Sequence, residues 1–241
     1  MTGNFYVVGV GPGDPELLTV KAIRILKQCQ TIIVPKGHED GNSTALNIVE
    51  QSLSTVDKEV IEIYFPMQKV RMGIPPAPEV AAAWREAAEI IIDRLRQGRD
   101  VAFPTLGDPS IYSTGFYTCQ TLLELDSCAK TIIVPGVSSI SACASAAGIP
   151  LCQGDDMLAV VPATFDNERL TEVLNSFQTV VLMKVHRVMP RITTLLSQIG
   201  LLQKAVLVER TAQDEERIIH NLDNLKPDEL HYFSTMIVRT R

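Results

Sequence analysis

The sequence predicts an α/β protein made of two α/β domains, and three observations carry this prediction. Strand-like and helix-like segments alternate over the first part of the chain, a rhythm typical of a mostly parallel sheet. The first strand runs directly into the glycine-rich turn Gly9-Val10-Gly11-Pro12-Gly13, at the point where open α/β sheets bind ligands. After Gly148-Ile149-Pro150 the pattern changes, so we place the domains at residues 1–148 and 149–241.

The elements of the first domain follow from apolar runs and from helix signals. Phe5-Tyr6-Val7-Val8 is an unbroken apolar run typical of a buried strand, and Thr19 can cap a helix whose apolar residues recur at helical spacing. Pro35 ends the second strand, and Gly98 ends the longest helix. Further strands are predicted at 31–34, 60–64, 100–104 and 131–135, and further helices at 44–51, 79–97, 118–125 and 140–147.

The second domain contains four more strand-like segments. They are apolar and rich in β-branched residues, and helical patterns separate the first three of them. We expect mixed strand pairing in this domain. The strands are predicted at 157–162, 179–184, 205–209 and 232–238, and the helices at 169–176 and 189–199.

The first glycine turn differs from the dinucleotide-binding fingerprint. Asp14 stands where that fingerprint has Gly or Ala, and a carboxylate there would repel a pyrophosphate. Pro12 removes a backbone N–H from a loop that would otherwise offer such groups to phosphate oxygens. The turn therefore indicates a ligand without phosphates.

A second turn, Gly107-Asp108-Pro109, repeats the residues of Gly13-Asp14-Pro15. In both, Asp is a good helix N-cap and Pro suits the first helical position. We therefore predict that both turns begin helices, with Ile111 and Tyr112 in the first turn of the second one.

Composition excludes several classes of function. The 241 residues carry a formal net charge of -6 and show no basic stripe with interleaved aromatics, which argues against a nucleic-acid partner. No apolar run approaches the roughly 18 residues of a membrane span, and no leader segment is recognisable, so a cytoplasmic protein is expected. The five cysteines form no C-x-x-C pair and the four histidines show no ligand spacing, so we expect reduced thiols and no metal site.

Four segments in the same order make the chain resemble the tetrapyrrole methylases, which methylate uroporphyrinogen-derived macrocycles with S-adenosylmethionine (SAM). They are Val8 to Pro15 with Leu18-Thr19, Gly107 to Thr114, Pro135 to Ser139, and Glu209-Arg210-Thr211. The resemblance implies two α/β domains with SAM bound in the cleft between them, S-adenosylhomocysteine as product, a tetrapyrrole substrate and a homodimer. It also implies a fold other than the usual Rossmann methyltransferase fold, in agreement with the first glycine turn.

Within that family, other segments are most similar to the branch that methylates carbon 20 of precorrin-2 or cobalt-factor II. They are the Gly107 to Thr114 segment, Val34-Pro35-Lys36-Gly37, Lys184 after Val181-Leu182-Met183, and the run from Tyr232 to Val238. The resemblance leaves open whether the substrate contains cobalt. Two alternatives also remain open: a sister methylase acting at another macrocycle position or on a diphthine precursor, and a methylase-like binding protein without turnover.

The resemblance also implies which residues contact each ligand. The SAM contacts are Pro12, Leu106, Gly107, Asp108, Ile111, Ser138, Ser139, Met183, Thr211, Ala212, Ser234, Thr235 and Met236. The substrate contacts are Gly11, Pro12, Lys36, His38, Lys69, Arg71, Tyr112 and Lys184. The basic residues among them, together with Arg187, suit a substrate with several carboxylates.

Methyl transfer from SAM needs no protein nucleophile, because the macrocycle carbon attacks the methyl group and the sulfonium is its own leaving group. Positioning and exclusion of water are then the main tasks of the protein. A proton must later leave the methylated carbon. Candidates to assist that step are Asp108, Tyr112, Glu209 and Asp214.

Overall fold

The computed structural model describes residues 2–37, 41–66, 68, 70, 73–223, 225 and 230–240. The chain divides into two compact units, Met1–Ser138 and Ser139–Arg241. This division assigns the helix after Ser138 to the second unit, whereas the sequence pattern places the boundary ten residues later. No helix among the described residues is long and apolar enough to cross a membrane.

The N-terminal unit is a parallel sheet with helices between its strands. Its strands are β1 (Phe5–Gly9), β2 (Thr31–Lys36), β3 (Glu59–Tyr64), β4 (Val101–Thr105) and β5 (Thr131–Val134), and its helices are α1 (Val20–Gln28), α2 (Thr44–Ser52), α3 (Pro78–Arg96) and α4 (Thr114–Leu125). The sheet order is β3-β2-β4-β1-β5, and every pairing is parallel. The predicted parallel α/β architecture is confirmed.

Successive residues of β1 point to opposite faces of this sheet, as strand geometry requires. Tyr6 and Val8 pack with the buried residues of α1 and α2, while Phe5 and Val7 pack with those of α3 and α4. Both faces are therefore covered by helices. Strands buried on both faces are continuously apolar, which is why the sequence predicts them well.

The C-terminal unit has a mixed sheet. Its strands are β6 (Leu158–Pro162), β7 (Thr179–Met183), β8 (Ala205–Glu209), β9 (Arg217–Ile219) and β10 (Ser234–Arg239), and its helices are α5 (Ser139–Ala146), α6 (Asn167–Ser176) and α7 (Met189–Gln198). The sheet order is β6-β7-β10-β8-β9, with β6 parallel to β7 and the other pairs antiparallel. The expected mixed pairing is confirmed, whereas β9, a short and partly exposed strand, is not anticipated by the sequence pattern.

Apolar side chains of α6 and α7 cover one face of the second sheet, where Leu182, Leu207 and Met236 are fully buried. Helix α5 packs against β10. Because β10 runs antiparallel to both of its neighbours, its first residues lie beside the last residues of β7 and β8. This arrangement gathers three chain segments at one edge of the sheet.

Candidate functional site

In the N-terminal unit, three loops leave the same edge of the sheet. Gly9 pairs with Thr105, and Val8 pairs with Val134, so the carboxyl ends of β1, β4 and β5 are level. The helix after β1 lies on one face of the sheet and the helix after β4 on the other. Adjacent strands whose chains continue on opposite faces form the crevice in which open α/β sheets bind ligands.

The first and second glycine turns are joined directly across that crevice. The Gly107 N–H donates to the Gly11 carbonyl at 2.7 Å, and the Gly11 N–H donates to the Gly107 carbonyl at 3.3 Å. Both residues have positive φ, 79° at Gly11 and 73° at Gly107, a conformation that strains any residue with a Cβ. The two turns that the sequence pattern picked out therefore form one structural unit.

Three backbone segments also meet at Gly9, Gly107 and Gly136. A Cβ on Gly9 would lie 2.6 Å from the Gly136 nitrogen, and a Cβ on Gly136 would overlap the Gly107 carbonyl oxygen. Glycine is needed at positions 9 and 136 because backbone fills the space that a side chain would occupy. The result is a rim of main chain with no side chains between its three segments.

Hydrogen bonds to the Asp108 carboxylate stabilise this rim. Its Oδ2 accepts the Gly136 N–H at 2.9 Å, and its Oδ1 accepts the Ser110 N–H at 2.8 Å and the Ser110 hydroxyl. Burial alone would raise the pKa of Asp108, but the hydrogen bonds from Ser110 and Gly136 outweigh it and hold that pKa below its usual value. The carboxylate is thus ionised at neutral pH and already engaged by protein donors.

The prediction that a helix begins at Asp108 is wrong. Residues after Asp108 form turns, with the Ile111 N–H donating to the Asp108 carbonyl at 3.3 Å, and α4 begins only at Thr114. Ser113 is its N-cap and accepts the Gly115 N–H at 3.0 Å. Ile111 and Tyr112 therefore precede the helix, whose N-cap is Ser113 and not Asp108.

The corresponding prediction at the first turn is confirmed. Asp14 caps a short 3-10 helix, Pro15–Leu17, by accepting the Glu16 N–H at 2.8 Å, and Pro15 is its first residue.

Tyr112 lies in this second turn in an unusual conformation. Its φ is 53°, and its side chain remains 51% exposed. Partial burial raises the pKa of its phenol above the usual value, so the hydroxyl stays protonated at neutral pH. Left-handed backbone at a bulky residue is uncommon and tends to occur at functional sites.

The other predicted residues of the N-terminal unit lie along the same edge or outside the described residues. Leu106 packs on the core below the second turn, Pro12 follows Gly11, and Lys36 ends β2. Ser138 follows Gly136 and Val137, and Ser139 begins α5. His38, Lys69 and Arg71 lie outside the described residues.

The C-terminal unit gathers its own predicted residues at one sheet edge. Thr235 pairs with Met183, and Ser234 pairs with Glu209, so the start of β10 lies between the ends of β7 and β8. Thr211 and Ala212 follow β8 after Arg210, and Lys184 follows β7 directly. The side chain of Met236 is fully buried in the core, so only its backbone belongs to this edge.

Backbone strain is concentrated at this edge. Among the described residues, four non-glycine residues have positive φ, and three of them are Lys184 at 62°, Arg210 at 48° and Ala212 at 60°. The fourth is Tyr112. Conformations that cost free energy persist only where surrounding structure fixes them, and they cluster at ligand-binding sites.

Glu209 is fully buried and is held by three protein donors. Arg217 Nε donates to its Oε2 at 2.6 Å, while the His231 N–H at 2.7 Å and the Ser234 hydroxyl at 3.2 Å donate to Oε1. Both carboxylate oxygens accept hydrogen bonds, and the side chain has no exposed surface. These two observations argue against the expected role of Glu209 in proton removal. We assign Glu209 a structural role at this edge of the sheet.

Sequence reasoning missed one residue of this edge, Cys143 on α5. Its Sγ lies 2.8 Å from Thr211 Oγ1. The only sequence signal was the run of small residues in α5, which indicates close packing. In the part of the chain that the structure describes, no cluster of three His, Cys, Asp or Glu residues could hold a metal ion.

Comparison with known proteins decides the family. The model of the tetrapyrrole (corrin/porphyrin) methylases matches residues 4–226. The chain belongs to the tetrapyrrole methylase family. The resemblance inferred from four short segments is therefore confirmed over nearly the whole chain.

Individual methylases are similar over nearly their full length. The cobalt-precorrin-2 C(20)-methyltransferase of Salmonella typhimurium is 36% identical over 242 residues, covering 99% of this chain and 97% of the relative. The precorrin-2 C(20)-methyltransferase of a Sinorhizobium species is 34% identical over 239 residues, covering 98% and 95%.

Solved structures of other tetrapyrrole methylases share the fold. A cobalt precorrin-4 methyltransferase matches with a TM-score of 0.74 at 20% identity, covering 98% of this chain and 94% of that one. The uroporphyrin-III C-methyl transferase of Thermus thermophilus, in complex with S-adenyl homocysteine, matches with a TM-score of 0.66 at 24% identity, covering 98% and 92%.

Proposed function

We propose that this methylase transfers a methyl group from SAM to carbon 20 of precorrin-2 or of cobalt-factor II in cobalamin biosynthesis. The observation that carries the proposal is the full-length similarity, at 33 to 36% identity, to three proteins described as C(20)-methyltransferases of precorrin-2 or cobalt-precorrin-2. The aligned region spans both sheets, so it includes the loops at the strand ends of both the N-terminal and the C-terminal unit.

SAM is the proposed methyl donor, and it supplies a methyl group activated by a sulfonium. The glycine rim of the N-terminal unit fits such a ligand, because its Gly11 and Gly107 loops present main chain in place of side chains. Asp108 then acts by fixing the rim through Gly136, so the methionine part of SAM is held by main-chain groups around Gly107 and Ser138.

The C-terminal unit contributes the remaining proposed SAM contacts. They all lie at the edge where β10 begins, and they are Met183, Thr211, Ala212, Ser234, Thr235 and the backbone of Met236. Fixed backbone at Ala212 and a buried hydroxyl at Thr211 are suited to recognising a flat, polar group such as adenosine. The family resemblance implies that both units bind the same SAM molecule, and this stays a prediction.

The substrate is proposed to contact Gly11, Pro12, Lys36, Tyr112 and Lys184, together with His38, Lys69 and Arg71. Precorrin-type macrocycles carry several carboxylates, which lysine and arginine side chains hold by charge-assisted hydrogen bonds. A local basic lining is needed because the chain as a whole has a net charge of -6. Tyr112 stays protonated, so it is suited to donate a hydrogen bond to the macrocycle rather than to remove a proton.

Catalysis is proposed to rest on orientation. The nucleophilic carbon must lie in line behind the transferred methyl, and correct placement alone contributes a large part of the rate. Of the candidates for assisting proton loss, Asp108 is occupied by Gly136 and Ser110, and Glu209 is buried. We therefore assign to these carboxylates the task of holding loop geometry.

We further propose a cytoplasmic homodimer. The homodimer follows from the family resemblance. The five cysteines, Cys29, Cys119, Cys128, Cys143 and Cys152, are all free thiols, which suits a reducing compartment.

The test is a methyl-transfer assay with purified protein, SAM and either precorrin-2 or cobalt-factor II, followed by mass spectrometry. We expect one added methyl, located at carbon 20 by NMR, and the faster of the two substrates settles whether cobalt is present. A methyl at another carbon would identify a sister methylase. SAM binding by calorimetry without any methyl transfer would identify a binding protein.

A further inference from the structure

Two aromatic rings join two loops of the C-terminal unit. His186 lies in the loop after β7, and Tyr232 lies in the segment before β10. Their ring centroids are 5.0 Å apart, with the ring planes at 63°. Because β10 pairs with β7 in antiparallel fashion, the two segments leave neighbouring strand ends. The ring contact therefore lies at the edge that carries the proposed ligand residues of this unit.

The segment before β10 is held by bonds that do not involve His186. The His231 N–H donates to Glu209 Oε1 at 2.7 Å, and the Phe233 N–H donates to His231 Nδ1 at 3.2 Å. The Phe233 carbonyl accepts a backbone N–H from the loop after β8 at 2.8 Å. The ring of Tyr232 also packs on that of Phe233, with centroids 5.3 Å apart. Tyr232 is thus a fixed platform for the ring of His186.

The loop after β7 begins with a strained residue. Lys184 has a φ of 62°, a conformation that costs free energy and persists only where the surrounding structure fixes it. Two contacts follow it in the chain: Val185 is fully buried in the core, and His186 packs on Tyr232. Loss of the ring contact would remove one of these two contacts and let Lys184 relax toward an unstrained backbone.

The imidazole of His186 is neutral in this arrangement. Its Nδ1 is buried and has no hydrogen-bond partner among the described residues. The neutral ring can carry its one hydrogen on Nε2, whereas protonation would put an N–H at Nδ1 with no acceptor, and an unsatisfied buried donor is costly. Burial lowers the pKa of His186, and the nearby Arg187 and His231 lower it further. Burial raises the pKa of the Tyr232 phenol, so its ring is uncharged as well.

We infer that His186 is a positioning residue for the substrate: its neutral ring, packed on Tyr232, fixes the loop after β7 and thereby the side chain of Lys184. The inference rests on the proposed function, in which Lys184 holds a carboxylate of the macrocycle. The proposed SAM contacts Ser234 and Thr235 lie within β10, which is paired on both sides. Loss of the ring contact should therefore weaken substrate binding and leave SAM binding intact.

The test measures kcat, KM for the macrocycle that the wild type methylates faster, and Kd for SAM by calorimetry. His186→Ala removes the ring, so we expect this KM to rise about fivefold, with kcat and Kd for SAM within about twofold of the wild type. His186→Phe keeps a ring, so its KM at pH 8 should stay within about twofold. Phe177→Ala removes a partly buried ring near the opposite end of β7 and is the control for lost packing, with KM unchanged.

The pH profile is a readout that lost packing alone would not move. In the wild type, KM for the macrocycle should rise as the pH falls below about 6.5, because the charged ring of His186 leaves Tyr232. In His186→Phe this rise should be absent, since the new ring cannot be protonated. His231 and the substrate carboxylates titrate in both proteins, so the difference between the two profiles isolates His186.

Each outcome decides the inference. An unchanged KM in His186→Ala overturns it, and so does an equal weakening of SAM binding, because the whole edge would then have loosened. Equal pH profiles in the wild type and His186→Phe also overturn it. If His186→Ala does not fold, Tyr232→Ala and Tyr232→Phe replace it: a raised KM in the Ala variant alone supports the inference, and equal behaviour overturns it.

Failure of the proposed function is distinguishable from failure of this inference. A wild-type protein that methylates neither macrocycle overturns both. Wild-type methylation at carbon 20 with a KM that does not respond to His186→Ala overturns the inference alone.

Discussion

The Asp108 carboxylate accepts the backbone N–H of Gly136 at 2.9 Å. The two residues follow β4 and β5, which are not neighbours, because β1 lies between them in the sheet. The bond therefore passes over the end of β1 at Gly9, where a Cβ would meet the Gly136 nitrogen. One carboxylate and one absent side chain together fix three loops of the proposed SAM site.

The first prediction concerns Asp108→Ala, which leaves the Gly136 and Ser110 N–H groups without their acceptor. An unsatisfied, partly buried donor costs about 1–3 kcal/mol, so we expect Tm to fall by several degrees and SAM affinity to weaken as the rim loosens. Thermal unfolding and calorimetry check both effects. Ser110→Ala, which removes only the short-range hydroxyl donor, is the milder control, and unchanged SAM affinity in Asp108→Ala would remove Asp108 from the site.

Gly136→Ala tests the close approach of backbones at the rim. Its Cβ would overlap the Gly107 carbonyl oxygen, which is held by the Gly11 N–H and cannot move away freely. We expect a loss of about 3 kcal/mol or more in the free energy of unfolding and strongly reduced SAM binding. Gly148→Ala is the matched control, because it has a φ of 66° but nothing within 4 Å, so only about 1–2 kcal/mol of backbone strain should appear. Comparable losses in the two variants would show that the rim is looser than described.

Much of the fold was predictable because its information is local. The strands of the N-terminal sheet are buried on both faces, so they stand out as apolar runs, and their observed bounds lie within one or two residues of the predicted ones. The cap at Asp14 was also predictable, since its partner, the Glu16 N–H, is two residues away.

Asp108 shows where local reasoning fails. Like Asp14, it accepts the N–H two residues further on, but its other oxygen accepts the N–H of Gly136, 28 residues away, and no local pattern records that contact. Cys143 escaped notice for the same reason, because its partner Thr211 is 68 residues away. The site residues gathered at each edge came from the family resemblance, and their ligand contacts remain predictions.

The third prediction concerns acid stability and Glu59. The Arg94 guanidinium, helped by the Thr31 hydroxyl and Arg99, lowers the pKa of Glu59 to about 2 from its usual value near 4.5, despite partial burial. Because the folded-state pKa is the lower one, the stabilisation is complete above about pH 4.5 and is lost as the pH falls toward 2.

Glu59→Gln should therefore cost about 1–2 kcal/mol at pH 7, after allowance for solvent screening, and almost nothing near pH 2. Chemical denaturation across that pH range measures the difference. Glu89→Gln, which removes only an exposed pair with Arg85, should change stability by no more than about 0.5 kcal/mol at any pH. A Glu59→Gln effect that does not depend on pH would contradict the assigned ion pair.

The last prediction separates a structural Glu209 from a catalytic one. Glu209→Gln keeps an oxygen for the His231 N–H and the Ser234 hydroxyl, so we expect kcat within about twofold of the wild type and a modest loss of stability. Arg217→Met leaves a fully buried carboxylate without its counter-charge, which should cost about 3 kcal/mol or more and lower Tm by a larger amount. Steady-state kinetics and thermal unfolding of both variants give the comparison. A hundredfold fall of kcat in Glu209→Gln with an unchanged Tm would restore this carboxylate as the group that takes the proton.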